Sequence, residues 1–105
     1  MTKFIMIKTT TEKIFDAEKI SNTLVSEKLA ACVQVIGPVI STYSWKENIE
    51  KTEEFILLIK TSEELKNSVE KRIKEIHPYE LPELLVIPIL DGSKEYLNWL
   101  KCNIK

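Results

Sequence analysis

Residues Glu53 to Thr61 read EEFILLIKT, and this stretch decides the fold. Successive side chains of an extended chain point to opposite faces, so Phe55, Leu57 and Ile59 lie on one side and Ile56, Leu58 and Lys60 on the other. Both faces are therefore mostly apolar, the pattern of a strand covered on two sides. The domain's own helices cover one face. A neighbouring subunit is the simplest cover for the second, because soluble monomers rarely leave a large apolar patch in water.

Working outward, Lys46, Glu47 and Asn48 supply a polar reversal just upstream, with Asn48 the residue best able to tolerate a left-handed conformation. Before it, Ala31 to Ile36 (ACVQVI) and Val39 to Trp45 are extended in character, interrupted by Gly37 and Pro38, which predicts one bent strand or two short ones. Together these segments form a long hairpin. On the far side, Thr61 with Glu64 fits a capping box that opens a helix whose buried stripe is Leu65, Val69, Ile73 and Ile76. Pro78 ends that helix by restricting His77 to extended angles.

Toward the N-terminus, Phe4 to Thr9 reads as a first strand, stopped by the threonines. Thr9 with Glu12 fits a second capping box, leading a helix to about Lys28 with Ile14, Ala17, Ile20, Leu24 and Val25 on one face. Toward the C-terminus, Leu84 to Leu90 (LLVIPIL) is the most apolar strand, with Pro88 predicted at its end or edge. Asp91, Gly92 and Ser93 then cap a short helix over Lys94 to Cys102 that carries Tyr96, Leu97, Trp99 and Leu100. The order strand, helix, strand, strand, helix, strand predicts an α+β, ferredoxin-like split βαβ (βαββαβ) fold with an antiparallel sheet, spanning residues 1–105 as a single domain.

Composition narrows the function classes. Fifteen Lys and Arg against 16 Asp and Glu give a net charge of −1, which offers no general attraction for phosphate backbones or anionic lipid. No nucleic-acid partner is expected, and although an RNA-recognition module shares this strand order, its aromatic signature is missing. No apolar run approaches the ~20 residues that span a bilayer, and the first residues alternate in character rather than resembling a signal peptide, so a cytoplasmic protein with no membrane partner is expected. The two cysteines, Cys32 and Cys102, form no C-x-x-C pair.

Three stretches carry a resemblance: LAACV at Leu29 to Val33, YSWKENIE at Tyr43 to Glu50, and HPYELPELL at His77 to Leu85. In order and spacing, extended by ILLIKT at Ile56 to Thr61 and YLNWL at Tyr96 to Leu100, they resemble the CutA family of divalent-cation tolerance proteins. The resemblance implies a ferredoxin-like subunit in a tight homotrimer, with hairpins reaching onto neighbouring subunits. It further implies a role in tolerance of copper and other divalent cations, copper binding by some members, and no established enzymatic activity. The trimer also resembles the PII signalling proteins, whose effectors sit between subunits, and this suggests an alternative signalling or scaffolding role. Some members carry a cysteine at the end of the first strand, where this chain has Ile7, Lys8 and Thr9, and a second histidine where it has Ile76.

The candidate metal ligands are His77, Cys32, Glu80 and Glu83, since imidazole, thiolate and carboxylate are the donors that copper or another divalent cation takes. No cofactor is required by this reading. His77 has a competing role as a helix stop whose imidazole caps backbone groups. Tyr43, Trp45, Lys60, Tyr79 and Trp99 are expected at an intersubunit cleft or interface, with Lys60 pairing to Glu80 or Glu83. No glycine-rich phosphate loop or paired nucleophile and base appears, so the chain is not expected to be an enzyme.

Overall fold

The computed structural model describes residues 2–105. Its elements are β1 (Phe4–Thr11), α1 (Ile14–Ser26), β2 (Cys32–Trp45), β3 (Asn48–Ser62), a 3-10 turn (Glu63–Leu65), α2 (Lys66–Ile76), β4 (Leu85–Pro88) and α3 (Lys94–Cys102). The strands form one sheet in the order β2-β3-β1-β4, every neighbouring pair antiparallel. Two βαβ units interlock here, since β3 lies between β1 and β2 and β1 lies between β3 and β4. The split βαβ expectation holds.

The two faces of this sheet differ. Ile5, Ile7, Leu57 and Ile59 pack with Ala17, Ile20 and Leu24 of α1 and Val69 and Ile73 of α2 in one continuous core. Those helix positions recur at three- and four-residue spacing, so each helix presents one apolar stripe to the sheet. Leu65 and Ile76 pack at the margin of the core, as their place on the α2 stripe predicts. Ile14 and Val25, assigned to the buried face of α1, are more than 40% exposed, because helical geometry places both on one flank of the stripe formed by Ala17, Ile20 and Leu24.

The threonines that were expected to stop β1 extend it to Thr11, and Thr9, Thr10 and Thr11 are all buried. β-branched side chains favour the pleated backbone, and pairing with Phe55 to Leu57 of β3 holds these residues in the ladder. Neither capping box forms. The α1 N-cap is Lys13 and the 3-10 turn follows Ser62, with no side-chain cap bond at either. The threonine hydroxyls serve elsewhere: Thr11 donates to the Lys13 carbonyl at 3.0 Å, and Thr61 donates to the Leu29 carbonyl at 2.6 Å. The second of these fastens the chain between α1 and β2 to the central strand. α1 closes with Lys28 at φ 59° and the Leu29 amide on the Leu24 carbonyl at 2.9 Å, a left-handed helix end.

β2 is one strand with a register shift between Ile36 and Val39, at the Gly37-Pro38 position that sequence singled out. Gly37 has φ 145°, and a Cβ there would stand 3.0 Å from the Glu54 carbonyl oxygen and 3.1 Å from Phe55 Cδ1, so only glycine fits. The hairpin tip is tighter than expected. Trp45 pairs with Asn48, and Lys46 (φ 50°) and Glu47 (φ 68°) adopt the left-handed conformation predicted for Asn48. Two consecutive positive φ values make the primed turn whose twist matches the strands it joins. α2 ends at Ile76 and His77 is extended (φ −76°, ψ 135°), as Pro78 requires.

α3 begins with the Ser93 hydroxyl accepting from the Tyr96 amide at 3.3 Å, and it buries Leu100. It contacts β3, and through Lys60 it meets the face opposite α1 and α2. No described helix is long and apolar enough to cross a membrane.

Candidate functional site

The sequence-predicted site residues fall into two groups, plus an outlying hairpin tip. The first group gathers at the C-terminal end of β1. His77 is only 8% exposed, its Nε2 is 2.7 Å from the Thr10 carbonyl oxygen, and its Nδ1 accepts from the Tyr79 amide at 3.1 Å. An imidazole that accepts at Nδ1 carries its proton on Nε2, so His77 is neutral and donates to Thr10. Burial lowers its pKa, with the Thr10 bond and the charges of Asp16 and Glu54 opposing that effect. The backbone-capping role is the one observed.

Tyr79 lies against the His77 ring, centroids 4.7 Å apart, and its hydroxyl donates to the buried Glu54 carboxylate at 2.8 Å. Burial and this carboxylate push the Tyr79 phenol well above its ordinary pKa, so it remains a donor at any physiological pH. Tyr43 adds a hydroxyl pair with Thr52 at 2.7 Å on the hairpin nearby. Glu83 forms an ion pair with Lys8 at 2.8 Å, whereas Lys60 was the expected partner. The loop carrying Glu83 leads directly into β4, which pairs with β1 beside Lys8, and this adjacency selects the nearer lysine. Glu80 is exposed.

The second group is built on Lys60. Its Nζ donates to the Tyr96 hydroxyl at 3.0 Å and stands 5.2 Å from the centre of that ring, and Tyr96 stacks on Trp99 with centroids 5.6 Å apart. Cys32, half-buried, is the cross-strand neighbour of Lys60. Sequence reasoning missed Tyr96 as a site residue, although its three-residue spacing from Trp99 puts both rings on one helix face. It also missed Glu54, a carboxylate directly preceding the apolar run of β3.

These groups are apart. Cys32 aligns with Lys60 and Thr10 with Ile56, four positions along β3, or roughly 13 Å at the rise of a strand. Trp45 is farther still, at the hairpin tip with Lys46 Nζ 6.0 Å from its ring. The expected metal ligands do not converge within one subunit: among the described residues, no three His, Cys, Asp or Glu side chains are placed to hold one ion. The aromatic residues likewise do not form one cleft within the subunit.

Comparison with known proteins agrees with this architecture. The divalent-cation tolerance protein CutA of Thermus thermophilus is 36% identical over 103 residues, 98% of each chain. Protein CutA, chloroplastic, of Arabidopsis thaliana is 38% identical over 84 residues, 80% of this chain and 46% of that protein. The structure of the periplasmic divalent cation tolerance protein CutA from Archaeoglobus fulgidus superposes with a TM-score of 0.92 at 35% identity, covering all of both chains. The names of these relatives span different compartments, so membership does not assign one. With residues 5–103 matching the family described as CutA1 divalent ion tolerance protein, the chain belongs to that family.

Proposed function

We propose that this protein works in divalent-cation tolerance as a homotrimer, and that any cation it holds is taken by side chains brought together across subunit boundaries. The observation carrying the reading is the pair of unpartnered edges at opposite ends of one sheet, β2 and β4. Ile36, Ile40, Tyr43 and Trp45 are exposed along the first, and Leu85, Val86 and Ile87 along the second. Two different edges that pair head to tail join copies heterologously, and a heterologous contact that closes gives a ring. The hairpin supplies the reach, in a subunit 45 Å along its longest axis.

A shared cation site is consistent with the donors left over. Cys32 is half-buried and Glu80 exposed, and neither is bonded to another described side chain. His77 is the chain's single histidine and both its nitrogens are engaged with the backbone, so its ring is free neither to take a cation nor to move a proton, and the cation reading rests on Cys32 and Glu80. Titration calorimetry with Cu(II) on the full chain, at about 50 μM protein, tests the metal part. Saturable heat that weakens in Cys32→Ser or Glu80→Gln is the expected result. No heat, or heat unchanged in both variants, removes the metal reading while leaving the assembly to be judged by mass.

A further inference from the structure

Lys60 presents an ammonium with no counter-ion. Among the described residues, the ion pairs involve Lys8, Lys66 and Arg72, and no carboxylate reaches Lys60. The lysine sits half-buried on a central strand, between Met6 of β1 and Cys32 of β2, on a face where its neighbours Ile56 and Leu58 are apolar. A lysine in such surroundings either reaches water or meets an anion, because a partly desolvated charge without a partner is unfavourable. Its tip is instead turned to the Tyr96 hydroxyl, 3.0 Å away.

The geometry of that contact leaves donors to offer. The ammonium has three N–H groups and gives one to Tyr96, whose oxygen accepts and whose own O–H remains free. Two donor groups 3.0 Å apart match the two oxygens of a carboxylate or a phosphate. Immediately beside them lies an aromatic ledge: Tyr96 and Trp99 are stacked at 25° between planes, and each is over 40% exposed. Buried Leu100 anchors α3 on the sheet, so the ledge is held by a packed helix rather than a loop.

We propose that Lys60, Tyr96 and Trp99 form a binding site for a small oxyanion attached to a planar ring, with the anion on Lys60 and the Tyr96 hydroxyl and the ring against Trp99. The three residues come from one subunit, on the face that the homotrimer reading turns toward a neighbour, and the site does not depend on the metal reading above. Carboxylate and phosphate share the required chemistry, and the test separates them.

The full chain, labelled with nitrogen-15, is titrated with benzoate in one arm and phenyl phosphate in another, with benzyl alcohol as the neutral control. The indole N–H signals of Trp45 and Trp99 are followed, assigned through Trp99→Phe. Either anion should shift the Trp99 signal saturably below about 10 mM, leave Trp45 unmoved and outperform benzyl alcohol. The arm with tighter binding identifies the anion class. Lys60→Met should weaken binding by roughly tenfold or more, and Tyr96→Phe, which keeps the ring and removes only the O–H, by a few-fold. Equal response to benzyl alcohol, no saturable shift with either anion, or unchanged affinity in Tyr96→Phe together with a folded Lys60→Met overturns the proposal. Loss of the native oligomeric mass in Lys60→Met also overturns it, since the ammonium then belongs to a subunit contact.

Discussion

His77 is held neutral by its surroundings, and stability should follow its protonation. Adding a proton would place N–H on Nδ1, where the Tyr79 amide now donates, and would charge a ring that is nearly buried. Its pKa in the fold lies below the ordinary value of 6.5, so between the two values the unfolded chain binds more protons. The contribution is complete above pH 6.5 and is lost as pH falls toward the lower folded value. Urea unfolding across this range should show a decline in the wild type that is flattened in His77→Gln, which should also cost about 1–3 kcal/mol at neutral pH from unpaired backbone groups. Parallel pH profiles of the two proteins would contradict the assignment. The sequence announced this residue as a helix stop through Pro78, but not its bond to Thr10, 67 positions away in the chain. Nor could it choose Lys8 over Lys60 for Glu83, because that choice depends on which strands are neighbours.

At the level of elements, the hairpin tip contains a local conflict. Lys46 and Glu47 both occupy left-handed conformations, which disfavour residues bearing a Cβ by roughly 1–2 kcal/mol each. The pairing of β2 with β3, continuous from Trp45 opposite Asn48 to Val39 opposite Glu54, over-determines the turn and holds them there. Glu47→Gly should therefore raise stability by about 0.5–1 kcal/mol after the greater freedom of glycine in the unfolded chain is counted. Thermal denaturation monitored by circular dichroism checks it, and an unchanged or lower midpoint would show that Glu47 has a compensating contact. The hairpin itself was legible from alternating apolar residues around a polar break. The turn type was not, because strand twist chooses the loop length and thereby which residues become left-handed. For a similar reason the threonine-based capping boxes failed: a hydroxyl that can cap a helix bonds whichever backbone group packing brings nearer, and for Thr61 that was the Leu29 carbonyl.

The whole molecule poses an edge problem. β2 and β4 each have one unpaired side, and their exposed side chains include Ile40 at 74%, while Ile49 near the hairpin tip is 78% exposed and Leu90 just past β4 95%. Ile87 belongs to the edge strand β4 and pairs with Met6 on the face away from α1 and α2. If the proposed homotrimer uses this strand, the wild type should show the mass of three chains by light scattering and Ile87→Lys that of one, while far-ultraviolet circular dichroism remains native, since this side chain is outside the helix-packed core. An unchanged oligomer would remove β4 from the proposed contact. The two-sided apolar pattern of EEFILLIKT by itself marked a strand with two apolar faces, and the succession of periodic segments along the chain set the split βαβ order, because periodicity is a local property of a chain. Family motifs spread over most of its length were equally readable. Only the tertiary structure decided that the expected metal ligands stand apart within the subunit, that His77 is engaged at both nitrogens, and that Lys60 joins Tyr96 rather than a carboxylate. Each is a contact between segments distant in sequence, and its partner is selected by strand register and helix placement, which no residue spacing encodes.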